Sequence, residues 1–168
     1  RELALFGYDV TIYEANEKAG GVLTYGIVPS RLPQEVVDFD IATIEKLGVT
    51  FKFNETIDAA RLEELKAEYD AVFVGTGLWK SKVIDIPGKD LDGVVSAIDF
   101  LKDARLNKEN MTLGDTVLVI GGGDVAMDCV TTAKQLGAKA TIVYRRTIEE
   151  APADIDEVMA VQSMGIPI

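Results

Sequence analysis

A glycine-rich turn between an apolar strand and a helix is the segment of this sequence best suited to chemistry. Residues 117–128 read VLVIGGGDVAMD and contain the pattern Gly121-x-Gly123-x-x-Ala126. In such a turn the first glycine permits a tight bend, the second lets the backbone approach a pyrophosphate, and the small third residue lets helix and strand pack closely. The first N–H groups of the helix favour an anion. The pattern predicts a dinucleotide phosphate site at this turn.

Two arginines follow the next strand, where units of this kind often carry an acid. An Asp or Glu at that point binds the ribose 2′-hydroxyl of NAD, whereas this chain has Arg145 and Arg146. A guanidinium binds a 2′-phosphate through paired, charged hydrogen bonds, and a carboxylate would repel it. We therefore predict a preference for NADP(H) over NAD(H). The alternative is an exposed arginine pair on a solvated loop.

The segments around the turn have the patterns that would position it. Residues 116–120 form a short apolar run typical of a buried parallel strand, and residues 140–144 read as the next strand. Between them, residues 125–136 have helical periodicity, and Gly137 would end the helix. Together these segments predict a strand, a turn, a helix and a second parallel strand.

A second strand that ends in an acid lies near the start of the chain. Residues 8–14 alternate as a strand does, and Glu14 at their end would bind an adenosine ribose diol, unless it is an ordinary polar residue. The matching glycine turn lies about 20 residues before such an acid, so we predict that it precedes Arg1. Residues 20–33 are rich in glycine and proline and predict either a functional loop or an irregular surface connection.

The remaining pattern predicts alternating helices and strands. We expect helices at 33–47, 58–69, 96–106 and 154–164, strands at 49–53 and 71–75, a turn at Pro87 and the start of a strand at 165–168. The strand at 71–75 would be buried and would lead into a Gly-Thr-Gly turn. Trp79, just after that turn, would either shield a cofactor edge or pack on the core.

Composition and charge exclude several classes of function. The chain has 168 residues and 48% apolar content, enough for one good core or two small ones. A formal net charge of −11 disfavours nonspecific binding to nucleic acid or to an anionic membrane, and no run is long and apolar enough to span a bilayer. The absence of a signal peptide and the single cysteine predict a cytoplasmic protein.

The lack of histidine and the lone Cys129 exclude further chemistry for this chain. It has no histidine for catalysis or metal ligation, no pair of cysteines for a disulfide or a CxxC redox centre, and too few for its own Fe–S cluster. We predict no metal site and no catalytic side chain, and we interpret Cys129 as a small core residue.

Three long motifs, in this order along the chain, resemble those of one family. They are GGVLTYGIVPSRLPQEVVD, DAVFVGTGLW, and VLVIGGGDVAMDC followed by YRR. They resemble the NADPH–FAD module shared by the glutamate synthase small subunit and dihydropyrimidine dehydrogenase, over nearly the whole chain. The resemblance implies an α/β fold of Rossmann-like dinucleotide-binding units, with parallel sheets flanked by helices. It implies a partial FAD-binding domain at 1–97 and a partial NADP-binding domain at 98–168, with an incomplete FAD site.

The resemblance also implies which residues bind the cofactors. Glu14 would contact the FAD adenosine ribose, and a strand end at 75–77 would lie close to the flavin. Asp124, which also suits a helix N-cap, would meet the NADPH pyrophosphate. The residues implied for FAD are Glu14, Gly20, Gly21, Val22, Arg31, Gly75, Thr76 and Gly77, and those for NADP(H) are Gly121, Gly122, Gly123, Asp124, Val125, Arg145 and Arg146.

Two dinucleotide units in one chain imply hydride transfer from NADPH to FAD, for which the protein supplies orientation and electrostatics. The resemblance implies that electrons then pass to Fe–S clusters in another region or subunit, and on to a catalytic partner subunit or domain that reduces either 2-oxoglutarate with glutamine or a pyrimidine. The alternative is a noncatalytic NADP-binding module. A thioredoxin-reductase-like enzyme would need a CxxC pair, and a single-cofactor dehydrogenase would need an acid or base that does not stand out.

Overall fold

The computed structural model describes residues 1–82, 84–107 and 109–168. The fold is α/β, and it divides into two compact units, unit 1 with residues 1–24 and 29–78 and unit 2 with residues 25–28 and 79–168. Each unit has one two-stranded parallel sheet with helices around it. The division falls earlier than the 97/98 boundary expected from the sequence. The assignment of one unit to FAD and the other to NADP remains a prediction.

Unit 1 is built on two short parallel strands. Strand β1 (Thr11–Tyr13) pairs with β2 (Thr50–Lys52), with Thr11 opposite Thr50. The helices are α1 (Glu2–Leu5), α2 (Val22–Tyr25, which ends at the first residue of unit 2), α3 (Gln34–Lys46) and α4 (Ala59–Glu68). The expected helices at 33–47 and 58–69 and the strand at 49–53 are confirmed, each slightly shorter than predicted.

Local sequence explains where the helices of unit 1 begin and end. Pro33 stands immediately before α3, and Gly48, with a φ of 90°, follows the end of that helix. Asp58 caps α4, because its Oδ1 accepts the backbone N–H of Arg61 at 2.8 Å.

The predicted strand at 71–75 is wrong. Residues 71–82 form no ladder, and the side chains of Phe73 and Leu78 are 92% and 90% exposed. Among the residues that the structure describes, β1 and β2 pair only with each other. A buried parallel strand needs neighbours that satisfy its backbone groups and cover both its faces. This apolar segment has neither, so its hydrophobic run does not become a strand.

Unit 2 repeats the parallel pairing around a larger core. Strand β3 (Thr116–Ile120) pairs with β4 (Lys139–Val143), with Ile120 opposite Val143. The helices are α5 (Ala97–Leu106), α6 (Asp124–Gln135) and α7 (Ile155–Ser163), and a 3₁₀ turn spans Ile148–Glu150. The helices predicted at 96–106, 125–136 and 154–164 and the turn at 87–90 are therefore confirmed.

One helix organises the core of unit 2. Helix α6 packs on both strands and against α5 and α7, and Gly137, with a φ of 95°, lies just beyond its end as predicted. Eleven residues form the buried cluster: Phe100, Leu101, Met127, Cys129, Val130, Ala133, Ala140, Ile142, Val158, Val161 and Ile166.

Two expectations about the strands of unit 2 need correction. Strand β3 is not buried on both faces, because Val117 and Val119 pack on the core while Leu118 on the other face is 63% exposed. Helix α6 covers only one face of the sheet. Residues 165–168 form no strand and contribute a single ladder-like bond, from the Ile142 N–H to the Pro167 carbonyl oxygen at 2.9 Å. Across the described ranges, every helix is too short or too polar to cross a membrane.

Candidate functional site

The glycine turn lies at the carboxyl end of the unit 2 sheet. The Gly121 N–H donates to the Val143 carbonyl oxygen at 3.0 Å, so the turn begins beside the last residue of β4. Gly121 has a φ of 149°, and a Cβ placed on it would lie 3.4 Å from the Cβ of Ala126. The small residue at 126 therefore packs directly against the turn, the close approach that the spacing requires.

Helix α6 starts from this turn without a side-chain cap. Gly123 is its N-cap residue and offers no side-chain acceptor to the first N–H groups, while the Gly123 carbonyl accepts the N–H of Ala126 at 2.8 Å. No side-chain cap therefore occupies the start of the helix, where the positive end of the helix dipole and the N–H groups before Ala126 favour an anion. Val125, in this first turn, is half-exposed.

Asp124 is the first residue of α6, so the alternative that it serves as the helix N-cap is wrong. Its Oδ1 accepts the backbone N–H of Asp154 at 2.8 Å. Asp154 in turn caps α7, because its Oδ1 accepts the Asp156 N–H at 2.9 Å. The Asp124 carboxylate therefore joins the starts of α6 and α7.

Tyr144 contacts the glycine turn, a role that the sequence reasoning missed. Its ring lies against Gly122, where an added Cβ would come within 2.6 Å of the ring carbon Cδ2. Its hydroxyl donates to the Glu150 carbonyl oxygen at 3.0 Å. The signal was present in the sequence, since an aromatic residue stands between β4 and the arginine pair.

Arg145 and Arg146 follow Tyr144 beyond the end of β4, and both are exposed. In the part of the chain that the structure describes, neither guanidinium has an ion pair or a hydrogen-bond partner. Nearby, the pKa of the Glu149 carboxyl is lowered, first by its own backbone N–H and then by the Thr147 side chain. Two unneutralised cations thus stand two and three residues beyond Val143, the strand end that contacts the glycine turn.

The structure places the FAD candidate Glu14 directly after β1 in unit 1. The Glu14 N–H donates to the Lys52 carbonyl oxygen at 2.9 Å. Its Oε1 accepts both the backbone N–H and the side-chain Nδ2 of Asn16, at 2.8 and 2.7 Å. The carboxylate is half-buried and held in one orientation at the strand end.

Gly20, the first glycine of the 20–33 segment, permits a tight local packing. Gly20 has a φ of 106°, and a Cβ there would collide with the Thr24 hydroxyl and lie 2.9 Å from Val37. Thr24 is buried, and its hydroxyl donates to the Ala19 carbonyl oxygen at 2.6 Å. The segment is less irregular than predicted, because α2 forms within it. Of the other candidates here, Gly21 has a φ of 53°, and Val22 and Arg31 are exposed.

The remaining FAD candidates lie in the exposed segment after α4. Gly75, Thr76 and Gly77 are all exposed, and Gly77 has a φ of 72°. Trp79 follows, and its ring centroid lies 6.5 Å from that of the buried Tyr25. This contact within unit 2 agrees with the packing alternative for the tryptophan.

Cys129 is the small core residue that the sequence predicts. It is buried on α6, and burial, followed by the negative charge of Asp128, raises the pKa of its thiol to about 12. Because the reactive form of cysteine is the thiolate, this side chain is inert at neutral pH.

A polar aromatic cluster in unit 1 was also missed by the sequence reasoning. The hydroxyls of Tyr13 and Tyr69 are 3.0 Å apart, and the Lys52 ammonium donates to Tyr13 at 3.3 Å. These hydrogen bonds lower the pKa of Tyr13, with that to Tyr69 as the largest cause. The pairing depends on strand register and on the end of α4, so sequence spacing alone gave no signal.

The chain is similar to known oxidoreductases over nearly its whole length. Residues 1–166 match the family described as pyridine nucleotide-disulphide oxidoreductase. The NAD-dependent dihydropyrimidine dehydrogenase subunit PreT of Escherichia coli (strain K12) is 44% identical over 164 residues, which are 96% of this chain and 39% of that protein. The glutamate synthase [NADPH] small chain of Azospirillum brasilense is 35% identical over 98% of this chain and 37% of its own length.

A solved structure shares the fold. The 2-naphthoyl-CoA reductase in complex with 2-naphthoyl-CoA superposes with a TM-score of 0.76 and 24% identity, over 98% of this chain and 25% of that one. The chain spans less than half the length of the two curated relatives above. The likeness to the glutamate synthase and dihydropyrimidine dehydrogenase proteins is confirmed, and the chain belongs to the pyridine nucleotide-disulphide oxidoreductase family.

Proposed function

We propose that this chain is the nucleotide-binding part of a flavoprotein oxidoreductase that takes hydride from NADPH and delivers it to FAD. The observation that carries the proposal is the uncapped start of α6 at the glycine turn, beside a strand end that bears two unneutralised arginines. An uncapped helix start suits a pyrophosphate, and guanidinium groups suit a phosphate monoester. A dinucleotide with a 2′-phosphate presents both groups on one molecule.

The choice between NADP(H) and NAD(H) depends on Arg145 and Arg146. The names of the relatives differ in the coenzyme, since PreT is called NAD-dependent and the name of the glutamate synthase small chain includes NADPH. An acidic residue after this strand would favour NAD, but this chain has Arg145 and Arg146 there, and both guanidinium groups are exposed. The residues themselves therefore support NADP(H).

Unit 1 offers a fitting start to a FAD site. Glu14 is ionisable, half-buried and oriented by Asn16, as a ribose diol acceptor should be. Gly20 and Gly21, six and seven residues after Glu14, both have positive φ, and Arg31 adds a positive charge for a phosphate. When bound, FAD would accept hydride, and the residues of this chain would hold and orient the two nucleotides. Arg31 and residues 75–77 complete the set that we propose for this cofactor.

The electron path beyond the flavin is proposed to lie outside this chain. A single buried cysteine with a raised pKa cannot ligate an Fe–S cluster, so we assign the clusters to another region or subunit and the final reduction to a catalytic partner. One observation favours the second candidate, a noncatalytic NADP-binding module. Residues 75–77 are exposed and outside any sheet, so they do not form a flavin-facing strand end.

The arginine pair provides the test. Replacing Arg145 and Arg146 by Ala should weaken NADPH binding by about 10²-fold, assuming a loss of about 1.5–3 kcal/mol of charged hydrogen bonding. NADH binding should change little. Nucleotide fluorescence titration measures both affinities. Lys139→Ala is the matched control, since it removes a cation from the opposite end of β4.

Two outcomes would count against the proposal. Equal losses for NADPH and NADH would remove the 2′-phosphate role from the arginines. Full-length protein that binds NADPH but never carries flavin would favour the noncatalytic module, whereas a yellow protein that oxidises NADPH would favour the two-cofactor function.

A further inference from the structure

The stretch after the arginine pair, residues 147–154 (hereafter the clasp segment), is tied to the glycine turn by two hydrogen bonds. The Gly122 carbonyl oxygen accepts the N–H of Ala153 at 3.1 Å. The Asp124 carboxylate accepts the N–H of Asp154 at 2.8 Å. Both bonds are formed by residues of the turn or of the first position of α6, so the end of the clasp segment is held where a dinucleotide phosphate is proposed to bind.

Tyr144 holds the middle of the clasp segment. Its ring rests on Gly122, and its hydroxyl donates to the Glu150 carbonyl oxygen at 3.0 Å. The segment is also stiff in itself, because the side chains of Thr147 and Glu150 form a capping box around the 3₁₀ turn. Arg145 and Arg146 therefore lie between an anchored tyrosine and an anchored segment.

Asp124 has the wrong charge for a direct phosphate ligand. A carboxylate beside a pyrophosphate is repelled by it, and one oxygen of this carboxylate is already engaged by a backbone N–H. Its contact instead fixes the position of Asp154 relative to α6. The chemistry of Asp124 thus suits the protein's own backbone better than it suits the nucleotide.

We infer that Asp124 and Tyr144 are positioning residues for coenzyme selectivity. They hold the clasp segment against the glycine turn and so restrict the positions of Arg145 and Arg146, which lie between Tyr144 and that segment, for binding a 2′-phosphate. This inference rests on the proposed function of the turn as an NADP(H) site. Asp124 is then not a ligand of the nucleotide. Its role is to accept the Asp154 N–H, which an amide side chain can also do.

Full-length Asp124→Ala and Asp124→Asn variants test the inference with two measurements. The first is the rate of limited tryptic cleavage after Arg146, which reports the mobility of the clasp segment, and the second is the affinity for NADPH and for NADH. Asp124→Ala should be cleaved about three- to tenfold faster, the range expected for one lost hydrogen bond, and should lose NADPH affinity by a larger factor than NADH affinity.

The conservative variant distinguishes positioning from charge. Asp124→Asn should be cleaved at the wild-type rate and bind NADPH at least as tightly, because the amide oxygen accepts the same N–H and a negative charge is removed. Tyr144→Phe keeps the ring on Gly122 and loses only the hydroxyl bond, so its cleavage should also accelerate. Asp115→Ala, an exposed acid before β3, is the control for loss of charge and should match the wild type.

Three results would overturn the inference. The first is cleavage of Asp124→Ala at the wild-type rate, and the second is an equal loss of affinity for NADPH and NADH in that variant. The third is weaker NADPH binding by Asp124→Asn with an unchanged cleavage rate. The last result would make the carboxylate a direct ligand. If the wild type binds neither coenzyme, the proposed function fails together with the selectivity role. Faster cleavage of Asp124→Ala would then still support the role of Asp124 in restraining the clasp segment.

Discussion

Gly122 and Tyr144 are matched to each other in a way that neither residue reveals alone. Any side chain larger than hydrogen at 122 would enter the tyrosine ring, since a Cβ would lie 2.6 Å from it. Packing within the protein thus requires a glycine at this position. The middle glycine of the GGG run is the one that contacts Tyr144, whereas the sequence pattern assigns roles to the outer two.

The Gly122→Ala variant should be destabilised by about 1–3 kcal/mol, the usual cost of overpacking. The ring must move, and its bond to Glu150 should break. Urea unfolding measures the free energy change. In a double variant with Tyr144→Leu much of that loss should be recovered, because the flat ring is gone, so the two substitutions should not be additive. Strict additivity would contradict a direct clash.

Among the secondary structure elements, the helices were predicted closely because the residues next to each helix end determine where it begins and stops. Asp58, Ser96 and Asp154 each accept a backbone N–H at the start of a helix, and Gly48 and Gly137 follow helix ends with positive φ. Such signals need only the neighbouring residues, which is why sequence periodicity found all of the longer helices.

The strands were harder to predict because a strand depends on its partners. Residues 71–75 and 116–120 are similar apolar runs, yet only the second forms a strand, since β4 pairs with it and nothing described pairs with the first. The Tyr144 and Asp124 contacts were missed for a related reason. Asp124 and Asp154 lie 30 residues apart in the sequence and meet where α7 packs against α6, and the bond from Tyr144 to Glu150 spans the 3₁₀ turn.

The N-cap of α4 allows a test of whether neighbouring residues stabilise a helix end in this way. Asp58→Ala should lower the free energy of unfolding by about 0.5–2 kcal/mol, because the Arg61 N–H loses its acceptor. Asp58→Asn should retain most of the stability, since asparagine caps about as well and the change in charge is the same as in the alanine variant. Thermal or urea denaturation gives both values. Equal destabilisation by the two variants would mean that charge and not capping is responsible.

The whole molecule has an uneven distribution of buried surface. Unit 2 contains the eleven-residue buried cluster, whereas the buried apolar side chains of unit 1 are Val37, Val49 and Leu65 among the residues described. Two-stranded sheets are marginal by themselves and depend on helices packed against them. The proposed NADP(H) site therefore stands on the better-packed unit, and the proposed FAD site stands on the less buried one.

The stretch between α4 and α5 should be the first internal site of proteolysis. Residues 71–82 have no helix or strand, and the side chains of Phe73 and Leu78 are almost fully exposed. Proteases bind extended backbone, which this segment offers without local unfolding. Limited chymotrypsin digestion followed by mass spectrometry should therefore show cleavage after Phe73 or Leu78 before any cut within α3 or α6.

A Phe73→Ala/Leu78→Ala variant is the matched control for that experiment. It leaves the backbone of the segment unchanged and removes the two preferred residues, so the early cut should slow while later cuts keep their rates. Early cleavage at Phe39, which is exposed but lies inside α3, would show that exposure of the side chain outweighs backbone structure. Such a result would also mean that α3 opens more readily than its place in unit 1 implies, because a helical backbone must unfold locally before it fits a protease.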